Sequence, residues 1–105
     1  MKLYLSGPMT GIENLNREAF RCAAVSLRGA GYTVVCPHEL NVDQQGLSWH
    51  AYMKRDVQAL AGCDGVALLP NWESSRGAVI EARLARDLRM ESHTVAEWMI
   101  GRVGA

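Results

Sequence analysis

Short apolar runs alternate with longer amphipathic segments along the chain, and this alternation predicts strands and helices in turn. Apolar or β-branched runs bounded by glycine or proline predict three strands, at residues 2–6, 32–37 and 64–70. Apolar positions at helical spacing predict three helices, at residues 13–31, 48–62 and 74–88. The apolar stripe of the first helix consists of Leu15, Ala19, Ala23 and Leu27.

The segments between these elements are polar. Residues 38–47 and 71–74 are predicted to be loops. Ser48 is the expected N-cap of the second helix and Gly62 its end. Residues 92–98, "SHTVAEW", fit either a fourth strand at the edge of the sheet or the start of a terminal helix.

Strands that alternate with helices pair in parallel through right-handed crossovers. The predicted fold class is therefore α/β: a three-layer sandwich with a small Rossmann- or flavodoxin-like sheet of three or four parallel strands and helices on both faces. Ligands of such sheets bind at the carboxyl ends of the strands. A site is expected where residues 6–8, 37–39 and 69–72 follow their strands.

The length, charge and cysteine content of the chain limit the range of possible functions. The chain has 105 residues, which suits one domain spanning residues 1–105, and its net charge is zero. That charge balance predicts no nucleic-acid partner, and no apolar run reaches the roughly 18 residues of a membrane span. The N-terminus does not resemble a signal peptide. Three cysteines without metal-like spacing indicate reduced thiols, a cytoplasmic location, no metal site and no cofactor.

Two carboxylates fall on the apolar, core-facing side of their predicted helices. At about 100° per residue, Glu81 lies at about 300° from Ala78, inside the apolar arc of its helix. Asp56 lies at about 340° from Trp49, inside the arc of the preceding helix. Burying a carboxylate is unfavourable unless it is paired. The pair indicates either acids that bond loop backbone or a cleft between the helices in which both take part in chemistry.

Two turns have the composition of anion-binding sites. Ser74 or Ser75 can cap the helix of Glu81, and Gly77 lets a ligand approach its first turn. The first strand ends in small residues with free amides, "SGPMTG", which predict substrate contacts at Ser6, Gly7, Pro8, Met9, Thr10 and Gly11. This loop lacks the lysine of a P-loop and the spacing of a dinucleotide fingerprint.

Other polar and aromatic residues near the strand ends allow two interpretations. Trp49, Tyr52 and Trp72 can stack on a base or fill a core or an interface. His38 and Glu39 lie at the expected functional edge, where a solvated loop pair is the simpler interpretation.

Four segments in this order resemble the nucleoside 2-deoxyribosyltransferase superfamily, and in particular its small phage and bacterial members. The segments are "YLSGPMTG", "RDVQAL", "CDGVALLP" and "WESSRGAVIEARLA", and the similarity runs from about residue 2 to residue 88. The superfamily includes transferases that exchange bases on deoxyribose and hydrolases that cut the N-glycosidic bond of deoxynucleoside monophosphates. The resemblance thus implies an enzyme that acts on a deoxynucleoside or its 5′-monophosphate.

The resemblance also implies a role for individual residues. Glu81, six residues after Ser75 and following Gly77, matches the family's nucleophile. Asp56 matches the acid/base aspartate, and Tyr4 matches a first-strand tyrosine beside the nucleophile and sugar. Trp72 is expected to contact substrate. Asp64 fits the pattern too, but at the opposite end of the sheet, where a structural role is expected.

The first loop departs from the hydrolase pattern, Gly-Ser-Ile-Arg-Gly, in which serine and arginine hold the 5′-phosphate. This chain has Pro8 and Thr10 in place of the serine and the arginine. Pro8 has no donor, and threonine lacks a charged bidentate grip. We therefore expect at most a modest preference for monophosphates over nucleosides.

Two other classes of function stay open: a module that binds a nucleotide or nucleotide-derived signal without turnover, and a phage-type accessory protein that acts through protein contacts. The small-molecule partner expected in the first two classes is a nucleoside or nucleotide. Large apolar residues outside clear helix stripes, Trp72, Trp98 and Met99, predict a homodimer or higher homo-oligomer, which the resemblance also implies.

Overall fold

Four parallel strands form one sheet in the order β2-β1-β3-β4, which confirms the predicted α/β fold class. The computed structural model describes residues 1–42 and 46–101. The strands are β1 (Lys2–Ser6), β2 (Thr33–Val35), β3 (Gly65–Leu68) and β4 (Glu91–Thr94). The helices are α1 (Arg17–Gly29), α2 (Pro37–Leu40), α3 (Trp49–Ala61), α4 (Arg76–Asp87) and α5 (Val95–Ile100). Single 3₁₀ turns occupy Glu13–Asn16 and Trp72–Ser74.

The side chains of β1 alternate between two cores. Leu3 and Leu5 point to the face covered by α1 and α5, where they pack with Phe20. Tyr4 points to the opposite face, covered by α3 and α4, where it packs with Leu60. Helices thus cover both faces of the sheet, and the polar residues of β1 face the two helices that bear the inward carboxylates.

The segment after β3 contains both of the elements that the sequence offered as alternatives. Glu91–Thr94 is an edge strand, and Thr94 then caps α5 in a capping box with Glu97. The expectation that Trp98 is exposed for subunit contacts is wrong. Its relative exposure is 0%, and its indole N–H donates to the carbonyl of Val66 at 2.9 Å.

Two further sequence expectations are corrected. The predicted first helix begins late, because Asn14, Leu15 and Asn16 have positive φ and form a left-handed turn ahead of α1. Leu15 is consequently 51% exposed and does not belong to the buried stripe. The predicted loop 38–47 begins inside a short helix, α2, in which Pro37 takes the first position, where its missing N–H costs nothing. Residues 43–45 of that loop lie outside the described residues.

The helix caps agree with the sequence. Ser48 accepts from the amide of Ala51 at 3.1 Å at the start of α3. Of the two candidate serines ahead of α4, Ser75 is the cap and accepts from the amide of Ala78 at 3.2 Å. None of the helices in the described ranges has the length and apolar composition to cross a membrane.

Candidate functional site

Glu81 lies at the centre of the candidate site, buried between α4 and the sheet. Its relative exposure is 5%, as its place in the apolar arc predicted. The hydroxyl of Tyr4 donates to Oε2 at 2.8 Å, and the hydroxyl of Ser6 donates to Oε1 at 2.6 Å. Tyr4 and Ser6 are alternate residues of β1 and therefore share the face toward α4. Both carboxylate oxygens are thus fixed by hydroxyl groups of the central strand.

The surroundings of Glu81 favour its neutral form. Burial raises the pKa of Glu81 to about 7, the nearby Asp56 carboxylate adds to this rise, and the hydrogen bonds from Ser6 and Tyr4 oppose it. Burial, together with the charges of Glu81 and Asp56, raises the pKa of Tyr4 well above its ordinary value. Tyr4 therefore stays a hydrogen-bond donor at physiological pH.

Asp56 is the second buried carboxylate, with a relative exposure of 8%. It projects from α3 toward the same face of the sheet, and its Oδ1 accepts from the Asn41 side-chain amide at 2.9 Å. Burial raises the pKa of Asp56, and the Asn41 hydrogen bond and the Arg55 charge act against that rise. The two acids therefore belong to one electrostatic unit, in which each influences Tyr4.

A cavity of about 940 Å³ opens over both carboxylates at the carboxyl edge of the sheet. That volume falls within the range of small-molecule sites. Ten of the predicted site residues line it: Tyr4, Ser6, Gly7, Pro8, Met9, Thr10, Asp56, Ser75, Gly77 and Glu81.

Two predicted substrate contacts lie elsewhere. Trp72 packs against the core cluster between the sheet and helices α3 and α4 and lines a separate depression of about 460 Å³ near β4. Gly11 does not line the cavity, although Thr10 and Ile12 on either side of it do. The carboxyl end of β3 thus contributes to the site only through the later residues 74–78.

The sequence interpretation missed Asn41 and undervalued His38. Asn41 lies in the polar segment assigned to a loop and lines the cavity beside Asp56. His38 also lines the cavity, its Nε2 lies 2.9 Å from the carbonyl oxygen of Leu15, and its ring contacts Phe20 edge-on. Burial lowers the pKa of His38. The signal that could have indicated both residues is their position directly after β2, at the edge where strand ends meet.

The mouth of the cavity combines a cation with an aromatic ring. The Arg76 guanidinium lies 4.3 Å from the centre of the Trp49 ring, and both residues line the cavity. A side chain at Gly77 would approach Met53 Sδ to 3.2 Å, so glycine here lets α4 pack closely on α3. The first turns of the two carboxylate-bearing helices are thereby joined at the cavity rim.

Residues 1–94 match the model of a protein family described as a domain of unknown function, DUF4406. The chain belongs to this family. A comparison with curated protein sequences finds no significant match for this DUF4406 chain.

Solved structures show where the fold of this DUF4406 chain recurs. The 2-deoxyribosyltransferase of Bacillus psychrosaccharolyticus matches with a TM-score of 0.68 and 22% sequence identity, over 88% of this chain and 69% of that one. The CMP N-glycosidase of Clostridium botulinum matches with a TM-score of 0.59 and 18% identity, over 88% of this chain and 66% of that one. The chain thus has the fold of these proteins and spans about two thirds of the length of each.

Proposed function

We propose that this protein cleaves or transfers at the N-glycosidic bond of a deoxynucleoside or its 5′-monophosphate, with Glu81 as the nucleophile. The observation that supports this most is the pair of buried carboxylates, Glu81 and Asp56, in one cavity at the carboxyl edge of the sheet. The two structures with the same fold are a 2-deoxyribosyltransferase and a CMP N-glycosidase, whose names indicate chemistry at the same kind of bond.

In the proposed reaction, an ionised Oε of Glu81 attacks C1′ of the sugar while the C1′–N bond breaks. Positive charge develops at C1′, and a buried carboxylate stabilises it at short range. Water or a second base then attacks C1′, loses a proton to the carboxylate that Asp56 has become, and releases Glu81. Because the pKa of Glu81 is about 7, the ionised form is present near neutral pH. The hydrogen bonds from Tyr4 and Ser6 hold the carboxylate in position.

Asp56 is the proposed proton donor to the departing base. The electron pair of the C1′–N bond goes to the base nitrogen, and a proton on the leaving base lowers the barrier to that step. Burial, which raises the pKa of Asp56, increases the fraction of the protonated acid near neutral pH. Trp49 lines the cavity, and we propose that the ring face not covered by Arg76 stacks on the base.

The test is base release from a panel of deoxynucleosides and deoxynucleotides, measured by chromatography. Glu81→Ala should fold and lose base release by several orders of magnitude, since no second nucleophile replaces it. Asp56→Asn should lose about 10²- to 10⁴-fold, mainly for bases that need protonation. Glu73→Gln, at an exposed glutamate of the preceding 3₁₀ turn, is the matched control. Activity retained by Glu81→Ala would overturn the mechanism.

An inactive wild type that binds a nucleotide tightly by calorimetry would instead favour the binding module. This alternative keeps the same cavity and assigns Glu81 and Asp56 to ligand recognition. An inactive wild type that binds no member of the panel would favour an accessory protein acting through protein contacts.

The 5′-phosphate is expected to add little to affinity. Pro8 lacks a donor, and the hydroxyl of Ser75 accepts from the amide of Ala78 as the helix cap. The cations that line the cavity are Arg17 and Arg76, and Arg76 is stacked on Trp49. We expect kcat/KM for a monophosphate to exceed that for its nucleoside by at most about a hundredfold, the factor that one charge-assisted hydrogen bond supplies. A ratio above about a thousandfold would contradict this, and Arg76→Met would then test the cation responsible.

A homodimer or a higher homo-oligomer is the assembly we propose. Exposed apolar side chains, Ile12, Leu15 and Val42, surround the cavity mouth, and Ile100 is exposed on α5. Association that covers the mouth would remove this apolar surface from water. Light scattering at micromolar concentration should give at least twice the chain mass, and a monomer mass would refute the proposal.

A further inference from the structure

The side-chain amide of Asn41 links Arg55 and Asp56 of α3 to Pro37, which follows β2. Asn41 directly follows the short helix α2, is partly buried, and lines the cavity. Its Nδ2 donates to the carbonyl of Pro37 at 3.0 Å and to Oδ1 of Asp56 at 2.9 Å. Its Oδ1 accepts from Nε of Arg55 at 2.8 Å.

These partners determine which way the Asn41 amide points. The guanidinium of Arg55 can only donate a hydrogen bond, and the carbonyl of Pro37 can only accept one. Turning the amide over would place two donors together at Arg55 and two acceptors together at Pro37. The NH₂ group of Asn41 therefore has to face Asp56, and Oδ1 of Asp56 has to be an acceptor.

The geometry points to Asn41 as a positioning residue that determines which oxygen of Asp56 holds the acid proton. A proton on Oδ1 would meet the Asn41 NH₂ group, donor against donor, so a neutral Asp56 holds its proton on Oδ2. Oδ2 makes no hydrogen bond within residues 1–42 and 46–101, and Asp56 lines the cavity, so this proton is available to a bound group. The catalytic part of this inference rests on the proposed function, in which Asp56 protonates the leaving base.

Asn41 also has a structural contact, because its bond to Pro37 closes the end of α2. If Asn41 were purely structural, its replacement would change the stability of the fold but not the pKa of Asp56. If Asn41 is a positioning residue, its replacement changes the pKa of Asp56. Glu39 provides the matched control: it lies on the same short helix and pairs with Arg28 at 2.6 Å, outside the cavity lining. Loss of the Glu39 pair perturbs α2 without touching Asp56.

The first test is a titration of the Asp56 carboxyl by ¹³C NMR on the full chain without substrate. Asn41→Ala should raise the pKa of Asp56, because it removes a hydrogen bond to the ionised form. Asn41→Asp, which keeps the size and the acceptor for Arg55, should raise it further by placing a like charge beside Oδ1. Glu39→Ala should leave the pKa of Asp56 unchanged.

An unchanged Asp56 titration in both Asn41 variants would overturn the inference. A thermal melt of each variant shows whether it folds. If neither Asn41 variant folds, the role of Asn41 is the structural bond to Pro37, and the inference also fails. This titration needs no turnover, so it gives its answer even where the proposed function fails the activity panel.

The second test compares leaving groups. For a base that needs protonation, Asn41→Ala should lower kcat about tenfold with little change in KM, since the proton is no longer directed to Oδ2. For a nucleoside whose base departs without protonation, kcat should stay near that of the wild type. In the Asp56→Asn background, Asn41→Ala should have no further effect on kcat. Equal losses for both leaving groups, or additive losses in the double variant, would contradict a positioning role.

Discussion

Replacing Glu81 by glutamine tests directly whether the site holds an unfavourable charge. Glutamine has nearly the same shape, and the hydroxyls of Tyr4 and Ser6 can still bond its amide, since a hydroxyl both donates and accepts. What disappears is the carboxyl group whose pKa burial raises to about 7. Because the folded pKa lies above the ordinary value of 4.5, the folded state binds this proton more tightly than the unfolded chain.

The sign and size of the effect follow from this shift. The contribution of Glu81 to stability is fully present below the unfolded pKa of 4.5 and is lost as pH rises through the folded pKa of about 7. Above pH 7 the total loss is about 3 kcal/mol. Between pH 5 and pH 8.5, the free energy of unfolding of Glu81→Gln relative to the wild type should therefore rise by roughly 2–3 kcal/mol. Any constant cost of exchanging a hydrogen bond cancels in this comparison.

Urea unfolding at the two pH values measures this difference, with equal m-values as the check that the unfolded states are comparable. Glu73→Gln is the control, because an exposed glutamate should change the free energy of unfolding equally at both pH values. A stability difference between Glu81→Gln and the wild type that stays within about 0.5 kcal/mol from pH 5 to pH 8.5 would refute the account of Glu81 as a desolvated carboxylate.

Three further substitutions test the packing around the site. Gly7→Ala should destabilise the fold by about 1–3 kcal/mol, because the new Cβ would lie 2.7 Å from Cβ of Leu69, and a neutral result in urea would show that β1 and β3 can separate there. Leu15→Gly should leave the stability unchanged or raise it by up to about 1 kcal/mol, since φ is 54° at this position. A clear loss of stability in a thermal melt would indicate that residue 15 has a right-handed helical conformation. Trp98→Phe should cost at least about 2 kcal/mol in urea unfolding, because it removes the donor to the Val66 carbonyl in a buried place, and a loss below about 0.5 kcal/mol would contradict that contact.

The fold could be predicted from the sequence because its main elements follow simple periodicities. The strands are short apolar runs ended by proline or glycine, and the helices have clear stripes and serine caps. The left-handed turn at Asn14–Asn16 could not be predicted, because Leu15 also fits the helical stripe and nothing in its type indicates positive φ. Trp98 likewise has no visible partner in sequence, since its hydrogen bond reaches 32 residues back to Val66.

The two carboxylates of the candidate site were predictable because each contradicts its local pattern. A charged residue inside an apolar arc is visible on a helical wheel, and the predicted burial of Glu81 and Asp56 is confirmed. Asn41 contradicts nothing in a polar segment, and its proposed role depends on Arg55 and Asp56, which only the tertiary fold brings next to it. Trp72 shows the opposite error: an aromatic residue at a strand end is equally compatible with a core, and here it packs against the core cluster between the sheet and helices α3 and α4.

The energetics of Glu81 connect stability with function. A domain of this size is stabilised by only about 5–15 kcal/mol, so a buried carboxyl that costs about 3 kcal/mol above pH 7 uses a large fraction of that margin. Glutamine at this position would keep the shape and the bonds to Tyr4 and Ser6 without the pH-dependent loss. Folding stability near and above neutral pH therefore does not favour an ionisable group there. The proposed chemistry does, because a carboxylate can attack C1′ and stabilise the positive charge that develops on it, whereas a neutral glutamine amide does neither effectively.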